Sequence, residues 1–214
     1  MSAALTSAAA QPGVAFELDG QPVTAHPGET ILKAAQRHGV EIPHLCYSDG
    51  LRPDGNCRAC VVEIAGERTL APSCCRAPTQ GMKVQAASPR ARKSQQMVVE
   101  MLLSDMPDVG YQWNDDQPDT PELIAGGAYS SSATGPLDSK TAPAVGQHGE
   151  LSAWADRLGV IVRPALQALR REQPAPDLSH PAMAVNLDAC IQCNRCVRAC
   201  REEQVNDVIG YALR

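Results

Sequence analysis

Val14–Leu18 alternates apolar and polar residues and runs into Asp19-Gly20, a tight-turn dipeptide, so the pattern predicts a strand and a return strand over Pro22–Ala25. His26-Pro27-Gly28-Glu29-Thr30 reads as a turn with Thr30 as an N-cap. Ile31, Leu32, Ala34 and Ala35 then recur at helical spacing, and Gly39 ends the helix. Strand, strand, helix is the opening of a β-grasp fold. Val61–Ile64 and Glu67–Leu70, joined by Ala65-Gly66, predict a second hairpin, and Gly81–Ala86 a last strand. Ser88 and Pro89 start a helix that Pro107 closes. Its stripe of Met97, Val98, Met101 and Leu102 is expected to face the core. Leu151–Leu158 and Pro164–Arg171 predict short helices, Glu172–Pro181 a connector, and Met183–Asn186 a short strand.

Between these blocks, 108–150 is rich in Gly, Ser, Pro, Asp and Ala without periodicity and is expected to be a linker. The 214 residues suffice for one or two domains. With one Phe, four Tyr and two Trp against 16 Gly and 17 Pro, the apolar core must be thin. Small cores need staples, and nine Cys are available. Their odd number, with eight of them in two ligand-like groups, points to metal binding in a reducing cytoplasm rather than to disulfides. The opening 13 residues lack a basic start and an apolar core, and read as a disordered tail rather than a signal peptide. No stretch approaches the roughly 18 apolar residues of a membrane span. A net charge of −5 argues against nucleic acid as a partner.

The chemistry lies in the two cysteine groups. Cys190, Cys193, Cys196 and Cys200 are separated by two, two and three residues, the run with which bacterial ferredoxins hold 4Fe–4S clusters. Three thiolates at that pitch can wrap one cluster, while the fourth points elsewhere. The alternative is structural zinc, which prefers two separated pairs. Arg201 stands where the usual run has Pro, and no Cys occurs among the fourteen residues after Cys200. The remaining ligands are therefore expected from another chain or from sequence outside these residues, and the run is expected to be empty, labile or partly disordered without them. Arg195, Arg198 and Arg201 interleave with this run and either favour its reduced, more negative form or are solvated surface.

In the other group, ten residues separate Cys46 from Cys57, two separate Cys57 from Cys60, and thirteen separate Cys60 from Cys74. Four cysteines on loops around a small sheet suit a 2Fe–2S cluster. The long Cys46–Cys57 loop contains two Gly that let backbone N–H groups come close. Zinc is again the alternative. Of Cys74 and Cys75 only one can face the cluster, and the other is expected to be a buried small apolar residue. His44 is expected to hydrogen-bond or pack the loop rather than ligate. His148 and His180 are not expected to be ligands, and Arg90, Arg92 and Lys93 are expected to be solvated.

The blocks H-G-V-E-I-P-H-L-C, D-G-N-C-R-A-C-V-V-E-I, E-R-T-L-A-P-S-C-C-R and N-L-D-A-C-I-Q-C-N-R-C-V-R-A-C-R-E-E-Q-V-N-D-V-I-G resemble the N-terminal region of the alpha subunit of NAD-dependent, molybdenum-containing formate dehydrogenases. Similar modules open the large Fe–S subunit of complex I and the diaphorase part of NAD-reducing hydrogenases. The resemblance covers roughly Phe16–Met106 and Leu151–Arg214. It implies a β-grasp 2Fe–2S domain with Cys46, Cys57, Cys60 and Cys74, rather than Cys75, as ligands. It further implies 4Fe–4S ligation by Cys190, Cys193 and Cys196, with Cys200 serving the neighbouring cluster.

In that family electrons pass from formate at a molybdopterin, through the clusters, to a flavin subunit that reduces NAD. The flavin/NAD-reducing and Fe–S subunits of one complex are thus the expected partners. Two features depart from the family: Ser104–Glu150 has no Cys for a further His-plus-three-Cys cluster, and the molybdopterin catalytic part is absent from these residues, so the chain by itself is expected to lack formate chemistry. The expected fold is α+β: a tail (1–13), a β-grasp 2Fe–2S ferredoxin domain (14–87), a helix (88–107), a linker (108–150), a helical connector (151–181) and a partial bacterial-ferredoxin-like 4Fe–4S domain (182–214). The competing functions are the equivalent part of a hydrogenase or complex I, and a non-redox zinc-bound scaffold.

Overall fold

A computed structural model describes residues 13–106, 149–172, 177–181, 183–185, 187 and 190–211. The expected tail (1–13) and linker (108–150) lie almost wholly outside the described residues. The chain forms two compact units, Met1–Gln95 with Asn194–Arg214, and Gln96–Cys193.

In the first unit, β1 (Val14–Leu18) and β2 (Gln21–Ala25) form the hairpin that the alternation predicts. Asp19 and Gly20 both take positive φ, 48° and 82°, as a primed two-residue turn requires. Phe16, Leu18, Val23 and Ala25 fall on one face and are buried. Helix α1 (Ile31–Arg37) covers them with Ile31, Leu32, Ala34 and Ala35. The Thr30 hydroxyl accepts from the Lys33 amide at 3.4 Å, the expected cap. β3 (Val61–Ile64), β4 (Ala71–Pro72) and β5 (Lys83–Gln85) complete a five-stranded mixed sheet in the order β2-β1-β5-β3-β4. β5 runs parallel to β1, and the other pairs are antiparallel. Fully burying side chains such as Leu18, Ile31, Leu32 and Val62 contributes about 1.5–3 kcal/mol each.

Two expectations change here. The strand returning from β3 is Ala71–Pro72, not Glu67–Leu70. The turn closes early, with the Glu67 amide on the Ile64 carbonyl at 3.0 Å, while the Ala65 amide is taken by the Lys83 carbonyl at 2.9 Å. Helix α2 (Pro89–Ser104) is capped by the Ser88 hydroxyl, which accepts from the Ala91 amide at 3.1 Å. The side chains it buries in the first unit are Ala91 and Gln95, with Val99 one turn further on. Met97 and Met101 are 48% and 60% exposed, and Val98 and Leu102 only half-buried, so the methionine stripe is not the core face. Gln95 decides the facing. Its amide donates to the Val61 carbonyl at 2.9 Å and the Ala86 carbonyl at 3.1 Å, pairing two acceptors that burial would otherwise leave costly.

The second unit contains the rest of α2, then α3 (Glu150–Leu158), α4 (Pro164–Gln167) and a two-stranded ribbon of β6 (Asp177–His180) and β7 (Met183–Val185). Helix α3 buries Leu151, Ala155 and Leu158 and ends at Gly159 in the left-handed conformation. Glu100 accepts from both the backbone amide and the side chain of Arg163, at 3.0 and 2.7 Å. Helix α4 stops at Gln167 rather than Arg171: Leu169 and Arg170 bond back only three residues, and the Arg171 amide donates to Asp105 at 3.0 Å instead. The expected connector Glu172–Pro181 contains a strand, β6. It has no apolar alternation to signal it and exists through its ladder with β7. Among the described residues no helix is long and apolar enough to cross a membrane.

Candidate iron–sulfur site

Three pieces of chain carry the first four cysteines together. Cys46 follows α1 through a segment anchored by the buried Ile42 and Leu45. Cys57 and Cys60 end the following loop at the start of β3, and Cys74 lies just past β4. The β3–β4 register, Val61 opposite Pro72, draws Cys60 and Cys74 together. The Ser73 amide and hydroxyl both donate to the Cys60 carbonyl, at 3.1 and 2.7 Å. The first amides of α1 hold the other side of that loop, Ile31 donating to the Arg76 carbonyl at 2.8 Å and Leu32 to the Ser73 carbonyl at 3.0 Å.

The sulfurs neighbour one another in pairs, Cys57 with Cys46, Cys46 with Cys74 and Cys74 with Cys60, beside backbone amides. The Cys46 amide donates to the Cys57 sulfur at 3.4 Å and the Cys57 amide to the Cys46 sulfur at 3.5 Å. The Asn56 amide also faces the Cys46 sulfur, the Ala59 amide faces Cys57, and the Cys74 amide faces Cys60. Arg58, between Cys57 and Cys60, has φ 60°, the left-handed kink that turns the loop around the sulfurs. Gly55 is also left-handed, and a Cβ there would lie 3.1 Å from the Cys75 sulfur.

The thiols interact directly. The Cys57 thiol, then that of Cys74, donates to the Cys46 sulfur and holds its pKa down at about 2 against the opposing effect of burial. Donation from Cys74 brings Cys60 to about 7. The donors shift the other way: sharing its proton with Cys46, and then burial, push Cys57 above the ordinary thiol range, and Cys74 rises through Cys46, Cys60 and burial in that order. Four soft sulfur donors with several amides aimed at them fit an iron–sulfur cluster, whose sulfurs accept such hydrogen bonds.

Other sequence candidates are placed differently from expectation. Cys74 is fully buried, whereas Cys75 is exposed, not the buried apolar residue expected; its sulfur lies 3.5 Å from that of Cys74. His44 makes the expected local bond, its Nδ1 at 2.9 Å from the Ile42 carbonyl, and stands edge-on to Tyr47. Arg90 donates to the Arg68 carbonyl at 2.6 Å, while Arg92 and Lys93 are exposed.

The second run is divided between the units. Cys190 and Cys193, both half-buried, belong to the second unit, and Cys196 and Cys200 to the first. Gln192 and Asn194, on either side of Cys193, take left-handed φ of 58° and 66°. Cys196 is exposed on the one-turn helix α5 (Arg195–Arg198), and Cys200 is 6% exposed in the wider turn Ala199–Glu203. The Arg171 guanidinium donates to the Cys190 carbonyl at 3.2 Å.

Arg198 is the residue that sequence reasoning misplaced. It is 3% exposed, not solvated, and its guanidinium donates to the carbonyls of Cys46 and Arg52. Its position between two cysteines marked it for attention, but nothing local says that it reaches the other cysteine group.

The mixed sheet, the covering helix and the first cysteine group fall in a segment, residues 11–89, that matches the family described as 2Fe-2S iron-sulfur cluster binding domain, and the α+β fold is consistent with a ferredoxin-like domain. More particularly, the chain is similar to the mitochondrial NADH-ubiquinone oxidoreductase 78 kDa subunit of Candida albicans, 29% identical over 92% of this chain and 22% of the relative. It is also 29% identical to the NADP-reducing hydrogenase subunit HndD of Solidesulfovibrio fructosivorans, over 92% of this chain and 29% of that one. The chain thus spans less than a third of either relative. Among solved structures, an NAD+-reducing NiFe-hydrogenase in the H2-reduced state matches with a TM-score of 0.64 at 27% identity, over 94% of this chain and 71% of that one.

Proposed function

We propose that the chain is an iron–sulfur electron-transfer module in which Cys46, Cys57, Cys60 and Cys74 hold a 2Fe–2S cluster. The observation that carries this reading is the pairwise proximity of these four thiols beside backbone amides, within the segment that matches the 2Fe–2S family. When bound, the cluster supplies a one-electron carrier. Amides of Asn56, Cys57, Ala59 and Cys74 donate to the sulfurs and spread their negative charge. Burial of Cys46, Cys60 and Cys74 excludes water, which limits solvent rearrangement when charge changes.

In the same reading Cys190, Cys193 and Cys196 serve a 4Fe–4S cluster and Cys200 its neighbour. The left-handed residues on either side of Cys193 support this, since they curl the backbone as a ligand loop requires. Partners are the flavin/NAD-reducing and Fe–S subunits of one complex, an assignment supported by the relatives named above. The finer reading, part of a formate dehydrogenase alpha subunit, rests on the block Glu202–Gly210 of the resemblance. The named relatives favour the second reading, the equivalent part of a hydrogenase or complex I-like enzyme.

Iron and acid-labile sulfide assays with paramagnetic resonance on the anaerobically purified chain test the cluster. Two irons and two sulfides with a reducible rhombic signal are expected, and a colourless zinc-loaded protein would overturn the reading. Neighbouring genes decide the finer question. A molybdopterin-type catalytic domain in the same operon supports formate dehydrogenase, and a NiFe catalytic subunit supports hydrogenase.

A further inference from the structure

Arg198 lies between Cys196 and Cys200 in sequence, yet its side chain is directed at the loop that carries Cys46 and Cys57. Its two terminal nitrogens donate to the carbonyls of Cys46 and Arg52, so it pins the loop at two points. Glu202, on the following turn, accepts from the Arg52 amide at 3.3 Å and approaches the Arg52 guanidinium at 3.5 Å. The Asp54 carboxylate is 3.9 Å from the Arg198 Nε, an ion pair outside hydrogen-bond length.

A buried guanidinium is a costly way to hold two carbonyls. Taking its positive charge out of water is unfavourable unless that charge is compensated. Two neutral carbonyls satisfy its terminal nitrogens but not its charge, its buried Nε is left without a hydrogen-bond partner among the described residues, and Asp54 compensates the charge only in part. The uncancelled charge sits against the carbonyl of Cys46, one of the four proposed cluster ligands.

We propose that Arg198 is a positioning residue that fixes the Cys46 loop and, through its charge, raises the reduction potential of the group held by Cys46, Cys57, Cys60 and Cys74. The inference rests on the cluster reading above. One electron, delivered by an external reductant such as dithionite, adds one negative charge to the site while no bond to protein is made or broken. A fixed positive charge held against the backbone of a ligand residue favours that reduced form, because charges buried in a low dielectric are weakly screened. Asp54 opposes it, so the two side chains set the potential in opposite directions.

The test is an anaerobic redox titration of the full 214-residue chain with dithionite, following the 2Fe–2S paramagnetic signal beside iron and sulfide content. Arg198→Gln is expected to shift the midpoint negative, lowering the reduced-to-oxidised ratio at a fixed potential about tenfold, which is ~59 mV for one electron. Arg198→Lys, which keeps the charge but not the fork, is expected to stay near the wild-type midpoint with lower cluster content. Asp54→Asn, with Arg198 intact, is expected to shift the midpoint positive. A purely structural role would lower cluster content in Arg198→Gln without moving the midpoint of what remains, and that result overturns the proposal. Should Arg198→Gln hold no cluster, an unmoved or negative shift in Asp54→Asn overturns it instead. A wild-type chain without the signal sinks the cluster reading and this inference with it, which separates the two failures.

Discussion

The hydroxyl of Ser73, wholly buried, donates to the carbonyl of Cys60 at 2.7 Å. The Ser73 amide joins it on the same oxygen at 3.1 Å, so one residue holds the start of β3 against the loop that carries Cys74. Removing the hydroxyl in Ser73→Ala deletes one buried hydrogen bond and leaves the amide in place. The expected loss is about 1 kcal/mol, read as a lower urea midpoint with an unchanged slope. Cluster content should fall less than in any cysteine variant.

Cys74 and Cys75 are adjacent in sequence and their sulfurs lie 3.5 Å apart, yet one is buried and the other exposed. Cys74→Ser should abolish or strongly perturb the visible iron–sulfur spectrum, whereas Cys75→Ser should leave its shape and intensity nearly unchanged. The contrary pattern in absorbance and iron content would assign the ligand to Cys75.

The facing of α2 is set by Gln95 rather than by its methionines. Gln95→Ala strands the Val61 and Ala86 carbonyls, and about 1–3 kcal/mol of stability should be lost. Met97→Ser and Met101→Ser, at exposed positions, should stay within about 0.5 kcal/mol. Chemical denaturation of the three variants compares them directly, and a large loss at either methionine would contradict the observed facing.

Glu100 gives the second unit a defined acid limit. The Arg163 side chain, then its amide, holds the Glu100 carboxyl below the ordinary 4.5. A carboxyl lowered in the folded state contributes stability that is complete above its ordinary pKa and is lost as pH falls through the lowered value. Hydrogen-exchange protection of the Arg163 amide, which donates to this carboxylate at 3.0 Å, should therefore persist at neutral pH and be lost only as pH falls below the ordinary carboxylate range. In Glu100→Gln the protection should be weaker and independent of pH over the same range.

What could be read from the sequence was whatever depends on neighbours along the chain. The Asp19-Gly20 turn, the Thr30 and Ser88 caps and the apolar face of α1 are local, because side-chain period and turn dihedrals are set within a few residues. Cysteine spacing is local in the same sense and marked both groups before any fold was known. What escaped depends on partners distant in sequence. β4 and β6 are short and unpatterned, and they exist because another strand offers a ladder. Gln95 displaced the methionines because two remote carbonyls needed donors, a requirement that no hydrophobic periodicity encodes. Cys75 is turned outward by the geometry of one tight loop. Arg198 meets Cys46 across 152 positions. A long flexible cation gives no periodic signal of where its head will rest, and only the packed tertiary structure decides which buried carbonyls it satisfies.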